Sequence, residues 1–299
     1  MVDSPLTSSS LRALLVQCRS APRMEAQEQT CFLERTRLRP DQFQTVNVAR
    51  GDDPTSVSLD EVDALLIGGA GKYSATQTYP WTDGLHDLIR RAVDRALPTL
   101  GSCWGHQVLA RALGGQVVHD PDHSELGCGW VERTDAGAAD PLFCQFSSRF
   151  QANMGHHDRV VELPPDSTEL ARNDQPHQAF RLNGTPVYGT QFHSELDAKR
   201  ERERILVYRE YYRSALPDAE TVQRVLDTLA DTTEVDNLLY DFLVTFVARP
   251  HPSVAPATLH PADRTGALGL ASPHHPPRPD PRPAYTTVTP RHRPLYTSP

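Results

Sequence analysis

The chain has 299 residues, a formal net charge of −8 at pH 7 and 38% hydrophobic residues, enough for one sizeable α/β domain with a buried core. The acidic balance argues against a sequence-independent nucleic-acid binder, which needs a basic stripe to displace counterions from phosphates. No apolar run reaches the roughly 20 residues that cross a bilayer, there is no leader pattern at the start, and the five cysteines form no CxxC pair. We therefore expect a cytoplasmic protein with no nucleic-acid and no membrane partner.

Apolar runs that suit strands alternate with amphipathic patterns that suit helices, which predicts an α/β fold with a doubly wound, mostly parallel sheet. The first predicted strands are 11–17, 43–48, 61–67 and 98–102, with helices at 24–37, 81–97 and from Cys103 to Gly114. Shorter strands, several of them antiparallel extensions, are predicted at 116–118, 129–133, 150–154, 169–172, 178–182 and 186–192.

The last part of the chain changes composition twice. A charged helix is predicted at 197–213 and an amphipathic helical pair at 218–247, which we expect to pack on the domain's own core, with a docking face as the alternative. The stretch from Pro250 onward holds half of the 26 prolines and no apolar periodicity. The predicted organisation is a flexible N-terminus at 1–10, a catalytic domain at 11–213, a helical extension at 214–248 and a disordered Pro-rich tail at 249–299.

One short segment has the form of a nucleophile elbow. Gly101-Ser102-Cys103-Trp104-Gly105 matches G-x-nucleophile-x-G, in which glycines remove side chains that would clash at a strained turn from strand to helix. Cys103 would lie at a helix N-terminus, where free N–H groups favour the thiolate over the thiol. Cys103 is therefore the candidate nucleophile.

The candidate base follows the last predicted strand of the sheet. His193 and Glu195 are two residues apart at the end of this strand, so an extended backbone points both side chains to the same side. The Glu195 carboxylate can then fix the tautomer of His193 while the other ring nitrogen faces the thiol. The three residues together predict a catalytic triad.

Acyl transfer also needs donors for the tetrahedral oxyanion. The backbone N–H of Trp104 is one candidate, and the glycine-rich loop at Gly68-Gly69 offers a second, which we assign to Gly69. A phosphate cradle is the alternative for this loop, but the loop lacks both the GK[ST] ending and the full GxGxxG spacing.

These motifs resemble those of the class I glutamine amidotransferases. The segment 101–107 (GSCWGHQ) resembles their G-x-C-x-G-x-Q, and 191–195 (QFHSE) resembles their Q-F-H-P-E. Within the family, 154–158 (MGHHD) and 178–181 (QAFR) are similar to the M-S-H-G-D and Q-A-F-R segments of GMP synthase-type members. The resemblance covers residues 11 to 212 and points to the free-standing GMP synthase-like subgroup with its flavodoxin-like fold.

The resemblance implies further roles. It places the bound glutamine against Gly68, Gln107, Gly155 and His156, and it implies no cofactor and no metal. Ser194 stands where the family has proline, which leaves His193 and Glu195 in register.

The function expected from the residues and the resemblance is glutaminase activity. Cys103 attacks the γ-carbonyl, His193 protonates ammonia, and water hydrolyses the thioester. The ammonia would pass to a separate synthetase subunit, because no synthetase half is recognised downstream. Two alternatives remain: a γ-glutamyl peptide or amide hydrolase with the same triad, and a non-catalytic scaffold module. An α/β-hydrolase is a further fold alternative, but that family places the acid before the histidine in chain order.

Overall fold

The computed structural model describes residue 6 and residues 10–248. The predicted Pro-rich tail at 249–299 and most of the predicted flexible N-terminus lie outside this part of the chain. The strands are β1 Ala13–Gln17, β2 Phe43–Asn47, β3 Ala64–Ile67, β4 Thr99–Ser102, β5 Gln116–His119, β6 Glu125–Arg133, β7 Arg149–His156, β8 Asp158–Glu162, β9 Ser167–Arg172, β10 Ala179–Leu182 and β11 Val187–Thr190. The α-helices are α1 Pro22–Thr36, α2 Thr82–Asp94, α3 Trp104–Ala112, α4 Asp135–Ala139, α5 Ala198–Val207, α6 Ala219–Thr228 and α7 Leu238–Leu243.

Within the described residues, nine strands form one sheet in the order β2-β1-β3-β4-β11-β10-β9-β6-β7. The first five strands of this order pair in parallel. The remaining pairs are antiparallel, and β5 pairs with β8 in a separate small sheet. The predicted doubly wound, mostly parallel sheet with antiparallel extensions is therefore confirmed.

The sheet separates two hydrophobic cores because successive side chains of a strand point to opposite faces. In β1, Ala13 and Leu15 join one core, whereas Leu14 and Val16 join the other. The first core contains residues of α1 and α7, and the second contains residues of α2 and α3. Both faces of the parallel strands are thus covered by helices, and only their carboxyl ends are left to form a site.

The helices after the sheet differ from the predicted run at 218–247. A non-helical stretch separates α6 from α7. The apolar residues of α7 are fully buried in the first core, and α6 packs with α5 in a third, smaller core. Both therefore pack on the domain's own core, as expected. Within the described part of the chain, no helix has the length and apolar character that crossing a membrane requires.

The helix predicted at 197–213 is shorter in the structure, where α5 ends at Val207. Residues 208–214 continue as tight turns, with the Tyr211 N–H donating to the Tyr208 carbonyl over 2.8 Å. The side chains of these turns pack against the loops at the carboxyl ends of the strands, so tertiary contacts replace a further helical turn. Strand β8 and helix α4 have no counterpart in the prediction because both are short and α4 lacks an apolar stripe.

Candidate active site

Cys103 occupies the sharp turn between β4 and α3. Its φ of 53° is in the left-handed region, which non-glycine residues rarely adopt without a functional reason. The Cys103 N–H donates to the Thr190 carbonyl over 2.8 Å, and the Gln107 N–H closes the first turn of α3 on the Cys103 carbonyl. A Cβ at Gly101 would overlap the Gly105 carbonyl, so the turn needs glycine there. The local sequence therefore presents the thiol at the helix N-terminus, as predicted.

His193 and Glu195 follow β11, the parallel neighbour of β4. The His193 backbone N–H donates to the Asn153 carbonyl over 3.0 Å, which fixes the turn against β7. The His193 Nδ1 lies 2.8 Å from the Glu195 Oε1, and both side chains are buried. The predicted imidazole–carboxylate contact is therefore present in the structure.

The thiol and the imidazole meet beside Gly155 in β7. The Cys103 Sγ donates to the Gly155 carbonyl over 3.8 Å, and the His193 Nε2 lies 3.8 Å from the position that a Gly155 Cβ would take. The charge of Cys103 also raises the pKa of the His193 ring, as expected for neighbouring groups. Chain segments about 90 residues apart thus bring Cys103, His193 and Glu195 into one row.

The charges in this row favour a protonated imidazole. Burial lowers the pKa of His193, but the charges of Glu195, Cys103 and Glu201 raise it, and the net pKa is well above the ordinary value of 6.5. Burial raises the pKa of Glu195, yet His193, Arg204 and the Ser102 hydroxyl lower it below the ordinary carboxylate range. An imidazolium held between a carboxylate and a thiol has the proton that a leaving amine needs.

A network of buried charges supports the Glu195 carboxylate. Its Oε1 accepts from the Arg204 Nη1 over 3.0 Å, and its Oε2 accepts from the Ser102 hydroxyl over 2.7 Å. The Arg204 Nη2 lies 3.8 Å from the Glu28 Oε1, which also accepts from the Arg19 Nη2 over 2.8 Å. Two arginines and two glutamates, all at most 4% exposed, therefore form one internally neutral group behind the imidazole.

The two predicted oxyanion donors have different surroundings. Trp104 is the first residue of α3, so its N–H has no acceptor in a preceding helical turn. The Gly69 N–H donates to the Glu28 Oε1 over 3.1 Å, and a Cβ at Gly69 would lie 3.4 Å from the His193 Cε1. Gly69 is therefore beside the site, with its donor held by a buried carboxylate.

Three of the four residues expected to contact substrate already contact other side chains or carbonyls of the chain. Gln107 is buried, and its Nε2 donates to the Asp158 carbonyl over 2.6 Å and to the Gln191 Oε1 over 3.2 Å. The His156 Nε2 lies 3.2 Å from the Glu125 Oε2. Gly68 packs against the Glu28 carboxylate, where a Cβ would lie 2.8 Å from the Oε1. Gly155 alone among them has an atom in contact with the sulfur.

A group of tyrosines after α5 covers the site. The Tyr212 hydroxyl donates to the Gly155 carbonyl over 2.8 Å, the same oxygen that the thiol approaches. The Tyr208 ring lies on Gly71 in the glycine loop, where φ is +74° and a Cβ would overlap the ring. With these tyrosines in place, Cys103 is only 6% exposed.

Several residues that the structure brings to the site were not predicted from the sequence. Ser102 was recognised only as part of the elbow, and Arg19, Glu28, Glu201 and Arg204 were not singled out. A signal was present in α5, where residues 201, 204, 205 and 208 have the spacing of one helical face. Charged residues on a face that also carries isoleucine and tyrosine indicate a buried polar site.

Among the described residues, no group of three or more His, Cys, Asp and Glu side chains has the arrangement that a metal ion needs.

The glutamine amidotransferase class-I family model matches residues 37–209 of the chain. A glutamine-hydrolyzing GMP synthase of Aeropyrum pernix is 41% identical over 133 residues, which are 44% of this chain and 24% of that protein. A glutamine-hydrolyzing GMP synthase subunit of Pyrococcus furiosus is 29% identical over 144 residues, 48% of this chain and 74% of that protein. The chain thus matches about a quarter of the first relative and about three quarters of the second.

Two further comparisons bear on the fold and on the substrate class. Gamma-glutamyl peptidase 4 of Arabidopsis thaliana is 30% identical over 135 residues, 44% of this chain and 53% of that protein. The crystal structure of a glutamine amidotransferase from Thermotoga maritima superposes with a TM-score of 0.61 at 22% identity, covering 79% of this chain and 97% of the other. At this identity the superposition bears on the fold alone, and it agrees with the flavodoxin-like sheet.

Proposed function

Because the chain belongs to the class I glutamine amidotransferase family, we propose that it hydrolyses the γ-amide of glutamine with Cys103, His193 and Glu195 as its catalytic triad. The observation that carries the proposal is the row formed by the Cys103 thiol, the buried His193 ring and Glu195, 2.8 Å from that ring. The strained turn at Cys103 supports it, because such strain is retained where it presents a reactive group.

The proposed reaction has two steps. In the first, the proton of the thiol resides on His193, and the Cys103 thiolate attacks the γ-carbonyl to form a tetrahedral intermediate. His193 then donates its proton to the departing nitrogen, so that ammonia leaves and a γ-glutamyl thioester remains. In the second step, His193 takes a proton from water, the hydroxide attacks the thioester, and the thiol leaves with glutamate as product.

The oxyanion of both steps needs backbone donors. The Trp104 N–H at the start of α3 suits this role because the helix dipole favours negative charge there. Gly69 can supply a second donor when its N–H is released from Glu28. Catalysis by this mechanism therefore includes a rearrangement of the Gly68–Gly69 loop.

The product ammonia is proposed to pass to a separate synthetase. The similarity to the GMP synthase subunit of Pyrococcus furiosus supports this proposal, since that relative is named as one subunit of an enzyme.

A γ-glutamyl peptidase is the second candidate function. The similarity to gamma-glutamyl peptidase 4 favours it, and the same triad would cleave a γ-glutamyl peptide bond with an amine as the leaving group. The bulky Trp104 follows the nucleophile and Gly155 stands where the family pattern has serine, so both alter the wall of the pocket.

One side-by-side assay tests both functions. The purified full chain is given glutamine and a γ-glutamyl dipeptide in parallel, and released glutamate is measured with and without a candidate synthetase, with Cys103→Ala as the control. Slow glutamine hydrolysis that the synthetase stimulates supports the amidotransferase. Fast dipeptide hydrolysis without a partner supports the peptidase, and turnover of neither substrate refutes both and leaves the scaffold.

A further inference from the structure

Glu201 in α5 is a buried carboxylate that the proposed triad does not use. Its side chain is 2% exposed, and no residue in the described part of the chain donates a hydrogen bond to its Oε2. A buried, unpartnered carboxylate oxygen is costly because it loses its hydrogen bonds to water. A donor from outside the chain would remove that cost.

The position of Glu201 connects it to the reacting groups. A Cβ at Gly155 would lie 2.8 Å from the Glu201 Oε1 and 3.8 Å from the His193 Nε2. The Gly155 carbonyl is the oxygen that the Cys103 thiol approaches, and the charge of Glu201 is felt at both His193 and Tyr212. Glu201 and the Cys103 thiol therefore both lie beside Gly155.

Glycine at position 155 makes this approach possible. The family pattern has serine here, and the Cβ of a serine would meet the Glu201 carboxylate at less than normal van der Waals distance. The carboxyl group would then have to move. Gly155 and Glu201 thus form a complementary pair, and the pair places a negative charge where the family pattern places a hydroxyl.

The arginine on the same face of α5 as Glu201 is already engaged. The Arg204 Nη1 donates to Glu195, and its Nε donates to the Gln27 Oε1 over 2.9 Å. Burial raises the pKa of Glu201; His193 and Arg204 lower it, and Glu195 raises it further. The net direction is upward, because these cations do not offset the effect of burial. A further cation at this place would be stabilised.

We infer that Glu201 binds the α-ammonium group of the substrate and thereby selects γ-glutamyl compounds with a free α-amine. This inference rests on the proposed function, in which a γ-glutamyl carbonyl lies against Cys103. The α-ammonium is the only cationic group of glutamine, and a buried carboxylate beside Gly155 is the complementary charge.

The experiment compares glutamine with 4-carbamoylbutanoate, which lacks only the α-amino group. In Glu201→Gln, the KM for glutamine should rise about 10- to 100-fold, the range for loss of a charged hydrogen bond, while the KM for the desamino compound stays unchanged. Any change in kcat that comes from the lost charge near His193 should be the same for both substrates. Glu203→Gln is the matched control, because Glu203 lies on the same helix but binds Gln27 and Arg23 near the surface. Its kinetics should equal those of the wild type.

Three outcomes overturn the inference. An equal rise of KM for both substrates means that Glu201 does not recognise the α-ammonium group, and an unchanged KM for glutamine means that it binds no ammonium group. If the wild-type chain turns over no γ-glutamyl compound, the proposed function fails and this inference fails with it. Gly155→Ser provides a second variant, which keeps the Glu201 carboxylate but displaces it. This variant should raise the KM for glutamine and leave the KM for the desamino compound unchanged. An equal change for both compounds counts against the inference, even if Glu201→Gln does not fold.

Discussion

Replacing Glu195 with glutamine isolates the charge of the proposed triad. The Glu195 Oε1 accepts from both His193 and Arg204, and its Oε2 accepts from the Ser102 hydroxyl. A glutamine has the same shape, so its amide oxygen can still accept from His193 and Arg204. Its amide NH2 group can then donate to the Ser102 hydroxyl oxygen. The variant therefore retains the orientation of the ring and loses one negative charge.

The size of the effect follows from the geometry. The His193 Nδ1 lies 2.8 Å from the carboxylate oxygen, and two charges about 4 Å apart interact by about 4 kcal/mol at an effective dielectric constant of about 20. If the transition state contains the imidazolium, kcat for glutamine should fall about 1000-fold. The pKa of His193 should fall as well, because Glu195 is the strongest of the charges that raise it. Loss of the pair should also cost about 3–5 kcal/mol of unfolding free energy.

Glutamate release across a pH series measures both the rate and the pKa of the base, with thermal unfolding as the check on folding. Glu61→Gln is the control, since the Glu61 side chain is 80% exposed and its ion pair with Arg12 is at the surface. A folded Glu195→Gln variant that keeps kcat within about threefold of the wild type, with an unchanged pH profile, would refute the assignment of Glu195 as the partner of an imidazolium.

Three further predictions test the elbow, the imidazole and the hydroxyl that supports the carboxylate. Gly101→Ala should lower the free energy of unfolding by about 3 kcal/mol or more, because its Cβ would overlap the backbone of α3. Gly129→Ala is the control: its Cβ has ordinary contacts starting at 3.6 Å, so urea unfolding should show almost no change in stability. Because the folded-state pKa of His193 is raised well above 6.5, its protonation stabilises the fold fully below pH 6.5 and progressively less as the pH rises through the raised pKa. The stability difference between wild type and His193→Asn should therefore shrink as the pH rises above 6.5, and a constant difference would contradict the raised pKa. Ser102→Ala should lower kcat about tenfold with little change in KM, since it removes one of the bonds that hold Glu195, and an unchanged kcat would show that this bond does not matter for the rate.

The sheet and the proposed triad could be predicted because both follow from local patterns. Apolar runs such as Ala13–Gln17 are short and bounded by turn residues, which fixes a buried strand within two residues. Parallel strands end at one edge of the sheet, so the elbow after β4 and the His-x-Glu segment after β11 had to converge there. Two short motifs were therefore enough to predict which side chains meet at the proposed site.

The support of the site could not be predicted in the same way. Arg19, Glu28 and Arg204 come from the end of β1 and from helices α1 and α5, whose charged residues have the composition of solvent-exposed faces. Only the packed structure reveals that they are buried against one another. The end of α5 was misplaced for a related reason, because Tyr208 and Tyr212 leave the helix to contact the glycine loop and β7, and long-range contacts of that kind leave no periodic signal.

The most direct test of the account is covalent labelling of the full chain with a glutamine-like chloroketone, with the modified residue located by peptide mass spectrometry. The account predicts stoichiometric alkylation of Cys103 alone, slowed by added glutamine and lost in His193→Asn, because the attacking thiolate depends on the neighbouring ring. Labelling spread over the other cysteines, or an unmodified Cys103 in folded protein, would contradict the claim that this residue is the nucleophile.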